Sequence, residues 1–142
     1  MEYKKYRVKS PVKSFRDLEV YKRTTQYAAE IFQIKLPKAD AALQEEFGIL
    51  NQIVKQAPKL IAESYGDKFS DFTGALAKLE KTAQIISNAV TKIDFLVLSV
   101  QDTGVKETLN ALLKKYQTQR VKVLNLKRAW VRVFGSDGKG RH

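Results

Sequence analysis

One histidine, no cysteine and fifteen carboxylates are all that these 142 residues offer to conventional catalysis. His142 is the last residue, beside Gly138-Lys139-Gly140-Arg141, the setting of a tail rather than of an active centre. Without an internal histidine the chain can build no histidine-dependent triad, no Glu-x-x-His di-iron pair of a helical bundle and no His-Glu-x-x-His zinc site. The lack of cysteine removes disulfides, thiolate metal sites and cysteine nucleophiles together, and fits a reducing, cytoplasmic setting. Glu45-Glu46 and Glu63 are the carboxylates that could act as acid and base. Adjacent glutamates near a helix start are, however, the ordinary complement of the helix dipole. Neither Gly104 nor the Gly135–Gly140 run carries a Walker lysine pattern or follows a strand. The expectation is a protein with no catalytic residue, no metal and no cofactor.

The chemistry lies in the cations. Lys and Arg number 26 against 15 Asp and Glu, a net charge of +11, and such an excess favours an anionic partner. It is concentrated at the two ends: residues 1–36 carry nine basic and four acidic groups, and 103–142 carry ten and two, whereas the middle is slightly acidic. Towards the C-terminus, Lys114, Lys115, Arg120, Lys122, Lys127, Arg128 and Arg132 crowd one segment. Lys22 and Arg23, with Lys4, Lys5, Arg7, Lys9 and Lys13 of the N-terminal tail, could extend the same positive surface. Cations on an exposed helix face also serve solubility alone, but acids are nearly absent from this segment. Tyr116 and Trp130 could stack on bases, yet both fall on the apolar side of their helix, where core packing is expected.

Four apolar-periodic segments must position these groups. Ser14 followed by Asp17 resembles a capping box with aspartate in place of glutamate, so a first helix is expected over 15–36, stopped by Pro37. Its stripe is Leu18, Tyr21, Thr25, Ala28 and Phe32. Leu43, Phe47, Leu50, Val54, Ala57, Ile61 and Tyr65 mark a second helix ending at Gly66, with Pro58 inside it and hence a kink near Val54. The third runs from Phe69 and Phe72 through Leu76, Leu79, Ala83, Ile86, Val90, Ile93 and Val97 to Val100. Asp102-Thr103-Gly104 then supplies turn and cap chemistry for a fourth, with Leu109, Leu112, Tyr116, Val123, Trp130 and Phe134 on its apolar side. Short connections make sequential helices antiparallel neighbours. The fold class expected is all-α, an up-down-up-down antiparallel four-helix bundle over 14–134, the second helix kinked at its proline, between basic tails at 1–13 and 135–142. Gly48 and Gly74 fall inside helices, which suggests close helix contact at both.

Two helices carry more apolar surface than one stripe. Val20, Tyr27, Ile31 and Ile34 stand away from the first stripe of helix one, and Ile49, Ile53 and Leu60 do the same on helix two. They either form an interface between subunits, the favoured reading, or widen the core and pack under the tails.

The order of motifs resembles a family. Ser14-Phe15-Arg16-Asp17-Leu18-Glu19-Val20-Tyr21 is similar to the F-[KR]-D-L-x-V-[WY] opening of the bacterial four-helix-bundle proteins encoded by intervening sequences of large-subunit ribosomal RNA genes. Ala57-Pro58-Lys59-Leu60-Ile61-Ala62-Glu63-Ser64-Tyr65-Gly66 resembles the I-P-x-N-I-A-E-G segment of that family, with Ser64-Tyr65 standing before the glycine. Phe69 to Glu80 is similar to its F-L-x-x-A-x-G-S-L-x-E-L start of helix three. Members often carry an arginine pair in helix two, where this chain has Ile53, Val54 and Lys55. The resemblance covers about the first 80 residues. It implies an up-down-up-down bundle assembled as a homopentamer, related to the accessory proteins of diversity-generating retroelements, which bind nucleic acid and a reverse transcriptase.

Together these readings point to a non-enzymatic, homo-oligomeric chain that binds nucleic acid, RNA or DNA, mainly through phosphates. The alternative is a protein-interaction scaffold docking an acidic partner such as a reverse transcriptase. No membrane association is expected: no apolar run reaches the length of a span, the N-terminus lacks a signal-peptide core, and the apolar side of helix four should be occupied by the bundle.

Overall fold

The computed structural model describes residues 14–36 and 40–135, and the two basic tails lie outside it. These residues form four α-helices and no strand: α1 Glu19–Phe32, α2 Ala41–Asp67, α3 Phe72–Ser99 and α4 Thr103–Trp130. A 3-10 turn, Phe15–Asp17, precedes α1, and a π-helical turn, Val131–Gly135, follows α4. Each helix packs on the next, and α1 also packs on α4.

The starts of the three long helices follow from short polar side chains. Asp40 accepts from the Leu43 amide at 2.8 Å, Asp71 from Gly74 at 3.0 Å and Asp102 from Val105 at 3.0 Å, so each helix opens on an aspartate that satisfies an orphan N–H and faces the positive end of the dipole. The Ser14/Asp17 capping box is present but caps only the 3-10 turn. α1 begins at Glu19 behind Leu18, which makes no side-chain cap, and ends at Phe32, before Ile34 and Leu36 bend back onto the core. Helix one is therefore shorter than the expected 15–36. α2 passes Gly66 and runs without interruption through Pro58, which has no N–H to offer the Val54 carbonyl.

α3 is the centre of the packing, touching both α2 and α4. Its buried residues are Ala75, Leu79, Thr82, Ala83, Ile85, Ile86, Ala89, Ile93 and Leu96, and its apolar ones share one core cluster with Phe47, Leu50, Val54 and Ala57 of α2. Val105, Leu109, Leu112, Tyr116, Val123 and Trp130 close the core from α4. Each large aliphatic side chain so buried contributes roughly 1.5–3 kcal/mol. Two buried hydroxyls bond back to their own helices, Ser64 to the Ile61 carbonyl and Thr82 to that of Lys78. The third buried polar feature crosses between helices: the Gln119 amide donates to the Val20 carbonyl and to the Thr24 hydroxyl, both at 2.9 Å.

This pair fixes the core face of α1, which differs from the expected stripe. Leu18 and Ala28 are buried as expected, but Phe32 is 50% exposed and Thr25 is exposed. The residues assigned to a surplus stripe take their place: Ile31 is 1% exposed, and Val20, Tyr27 and Ile34 pack against the core. Ile31 thus has no surface for another subunit. Ile53 and Leu60 of α2 are likewise half-buried against the core, and Ile49 alone of the seven is exposed. The glycines also depart from expectation. A Cβ at Gly48 would meet nothing within 4 Å, and one at Gly74 would meet not a neighbouring helix but the capping Asp71 carboxylate, at 2.2 Å.

Candidate nucleic-acid interface

The buried stripe of α4 advances by alternating threes and fours, Leu109, Leu112, Tyr116, Gln119, Val123 and Trp130, and its cations occupy the rest of the circumference. Lys115 and Lys122 fall on the α1 side, Arg120 and Lys127 on the α3 side, and Lys114, Arg128 and Arg132 on the outward crest. Seven of the nine expected contact residues are exposed; Lys115 and Lys127 are half-buried.

Three of the nine are already neutralised. Lys115 Nζ lies 3.1 Å from Glu30 of α1, with Tyr27 beneath it, and Lys127 Nζ lies 2.7 Å from Glu80 of α3. Arg23 pairs with Glu19 one turn earlier at 3.0 Å. Lys22, Lys114, Arg120, Lys122, Arg128 and Arg132 have no carboxylate partner among the described residues; Arg128 donates instead to the neutral Asn125 at 2.7 Å. Holding a cation between helices and presenting it to a phosphate are competing uses of one side chain, so these six are the ones able to meet an anion.

The nine do not form a single patch. Arg23 and Lys122 come together along one groove between α1 and α4, with Gln119 at its floor. Lys127, Arg128 and Arg132 line another, between α4 and α3, beside Leu124 and Val131. Lys127 and Arg128 also stand in the last turn of α4, where cations complement the negative end of the dipole. Tyr116 and Trp130 are 1% and 6% exposed and belong to the core.

A feature that sequence reasoning missed sits where α4 ends. The ammonium of Lys68, in the turn between α2 and α3, lies 3.8 Å from the ring centre of Tyr65, 4.7 Å from Phe69, and 5.6 Å from both Trp130 and Phe134. Burial pulls its pKa below the ordinary value. Phe69 meets Phe134 edge to face at 5.3 Å and is otherwise 79% exposed. The sequence reading placed Phe69 at the head of the α3 stripe. The available signal was Asp71, whose spacing to Gly74 is that of an N-cap to N3 and so leaves Phe69 in the turn.

Among the described residues no group of three or more His, Cys, Asp or Glu could hold a metal ion, and no helix is long and apolar enough to cross a membrane. No family model, no curated protein and no solved structure matches the chain.

Proposed function

We propose that this chain is a non-enzymatic, homo-oligomeric nucleic-acid-binding protein that grips phosphates with the basic surface of α4 and the start of α1. The observation that carries the reading is the charge of α4 and its terminal turn: between Thr108 and Gly135 there are seven cations and not one carboxylate. Six cations of α1, α4 and its terminal turn that have no carboxylate partner among the described residues supply the groups that release counterions from a nucleic acid, and such contacts read charge rather than sequence.

The architecture that goes with this is an up-down-up-down bundle with α2 bent at Pro58. Cross-helix pairs favour it, because they run in opposite order along adjacent helices. Glu46 of α2 pairs with Lys92 near the end of α3, and Asp67 with Lys78 near its beginning. On the other side, Lys115 of α4 meets Glu30 near the end of α1, and Gln119 meets Val20 near its start. The bundle order and the three motifs together favour membership of the intervening-sequence bundle family, and a homopentameric assembly follows from that resemblance alone. Ile49, exposed on α2, is the remaining candidate from the expected interface.

The test is salt-titrated binding to a labelled DNA duplex and a labelled structured RNA. Lys114, Lys122, Arg128 and Arg132 are changed together to glutamine in a parallel sample. The expected result is binding that weakens steeply with salt, and a variant whose log–log salt slope on duplex is shallower by about 3 to 4, at roughly 0.9 per lost phosphate contact. Absence of binding at low salt defeats the reading. A second reading, a scaffold for an acidic protein such as a reverse transcriptase, is favoured by Val121, Val131 and Val133, which are 40–53% exposed among the same cations. It predicts binding to an acidic protein in place of nucleic acid.

A further inference from the structure

Phosphate contacts along α4 treat paired and unpaired strands alike. The turn between α2 and α3 adds a group that would not. Phe69 is the most exposed large apolar side chain among the described residues, at 79%, and it is held rather than loose: its ring stands edge to face with Phe134 at an interplanar angle of 88°. Lys68 places its ammonium over the same ring, and the rings of Tyr65 and Trp130 also stand against that ammonium. A side chain fixed in this way presents an open aromatic surface without losing further conformational freedom on binding.

Its neighbourhood is that of an anionic ligand. Lys68, which has no carboxylate partner among the described residues, holds its ammonium 4.7 Å from the centre of the Phe69 ring. Phe69 itself stands against the terminal turn of α4 through Phe134. The other strongly exposed apolar groups have this combination less fully. Leu98 has no ring, the cation nearest Phe95, Lys92, is bound to Glu46, and Phe32, with Lys55 5.9 Å from its ring centre, is only 50% exposed. An aromatic face beside a cation suits a nucleobase with its phosphate, and only an unpaired nucleotide can turn its base out to meet such a face.

We infer that Phe69 is a stacking platform for an unpaired nucleobase, so that this chain prefers single-stranded or looped nucleic acid to duplex. The inference rests on the nucleic-acid reading above and extends its site from α4 to the α2–α3 turn. Lys68 steadies the ring and supplies the positive charge for the adjoining phosphate.

Phe69→Ala tests it, because so exposed a side chain can be removed with the fold intact, as a thermal melt checks. The probes are a labelled oligouridylate and an RNA duplex of the same strand length, titrated at one salt concentration, with Phe69→Trp as the conservative variant. The expected result is that Phe69→Ala weakens oligouridylate binding by about 5- to 150-fold, the effect of losing one base–aromatic stack, while duplex binding changes by less than about twofold. Phe69→Trp retains the affinity. Equal loss on both probes, or no loss on either, overturns the platform while leaving the phosphate reading of α4 standing. If the unaltered protein binds neither probe, that reading falls and this one with it.

Discussion

Gln119 shows how one polar side chain can carry positional information inside an apolar core. It occupies the stripe position between Tyr116 and Val123, is 1% exposed, and meets Thr24 of α1, which is 0% exposed. Replacing Gln119 with leucine strands the Thr24 hydroxyl, and the expected cost is about 1–3 kcal/mol in urea unfolding. Adding Thr24→Val should recover much of that loss, since removing both partners is far gentler than removing one. A double variant no more stable than Gln119→Leu would mean the pair is not the source of the cost. Tyr116, one turn away, makes the opposite case: its hydroxyl is buried with no hydrogen-bond partner among the described residues. Burial, then the charge of Glu30, then Tyr27, raise its pKa well above the ordinary 10.0. The folded state therefore resists ionising a phenol that the unfolded chain ionises freely. This group is silent below pH 10 and should remove about 1.4 kcal/mol of stability per pH unit above it. Tyr116→Phe should flatten that alkaline limb at no cost near neutrality, and an unchanged limb would reject the assignment. Neither polar group was legible as such. A glutamine between Tyr116 and Val123 looks like a gap in an apolar stripe until its partner on another helix is known.

Glycines in helices usually cost stability, but the two in question differ in what surrounds them. Gly48→Ala adds a methyl group to open space and should stabilise by up to about 1 kcal/mol. Gly74→Ala drives its Cβ into the Asp71 carboxylate and should forfeit that gain along with the cap. Paired thermal melts separate them, and equal shifts would contradict the geometry. The sequence made the long elements readable because α2, α3 and α4 sustain their stripes over 27 and 28 residues, long enough for a single phase to emerge. α1 has only 14 residues and two rival stripes, one through Thr25 and Phe32 and one through Tyr27 and Ile31. Periodicity alone weighs them equally. The choice is made by Gln119, more than ninety residues away in sequence, which satisfies Thr24 and turns that side inward.

On the scale of the molecule, the start of α1 lies against the second half of α4, and the α2–α3 turn against its terminal π-helical turn. Arg23 of α1 and Lys122 of α4, far apart in sequence, are thereby brought to one groove. Which cations are free to act there was not legible from composition, because the partners Glu30 and Glu80 lie on other helices. The proposed pentamer is checked by sedimentation equilibrium, and a monomeric mass at micromolar concentration would reject it. The brevity of α1 has a further result. At 1.5 Å per residue it spans about 21 Å beside partners of about 42 Å. A lid of half the length, seated on a narrow stripe, opens at less cost than the three long helices can separate. Native-state hydrogen exchange should find the α1 amides released in a sub-global step while those of α3 wait for complete unfolding, so that the chain passes through a three-helix species on its way to and from the folded state.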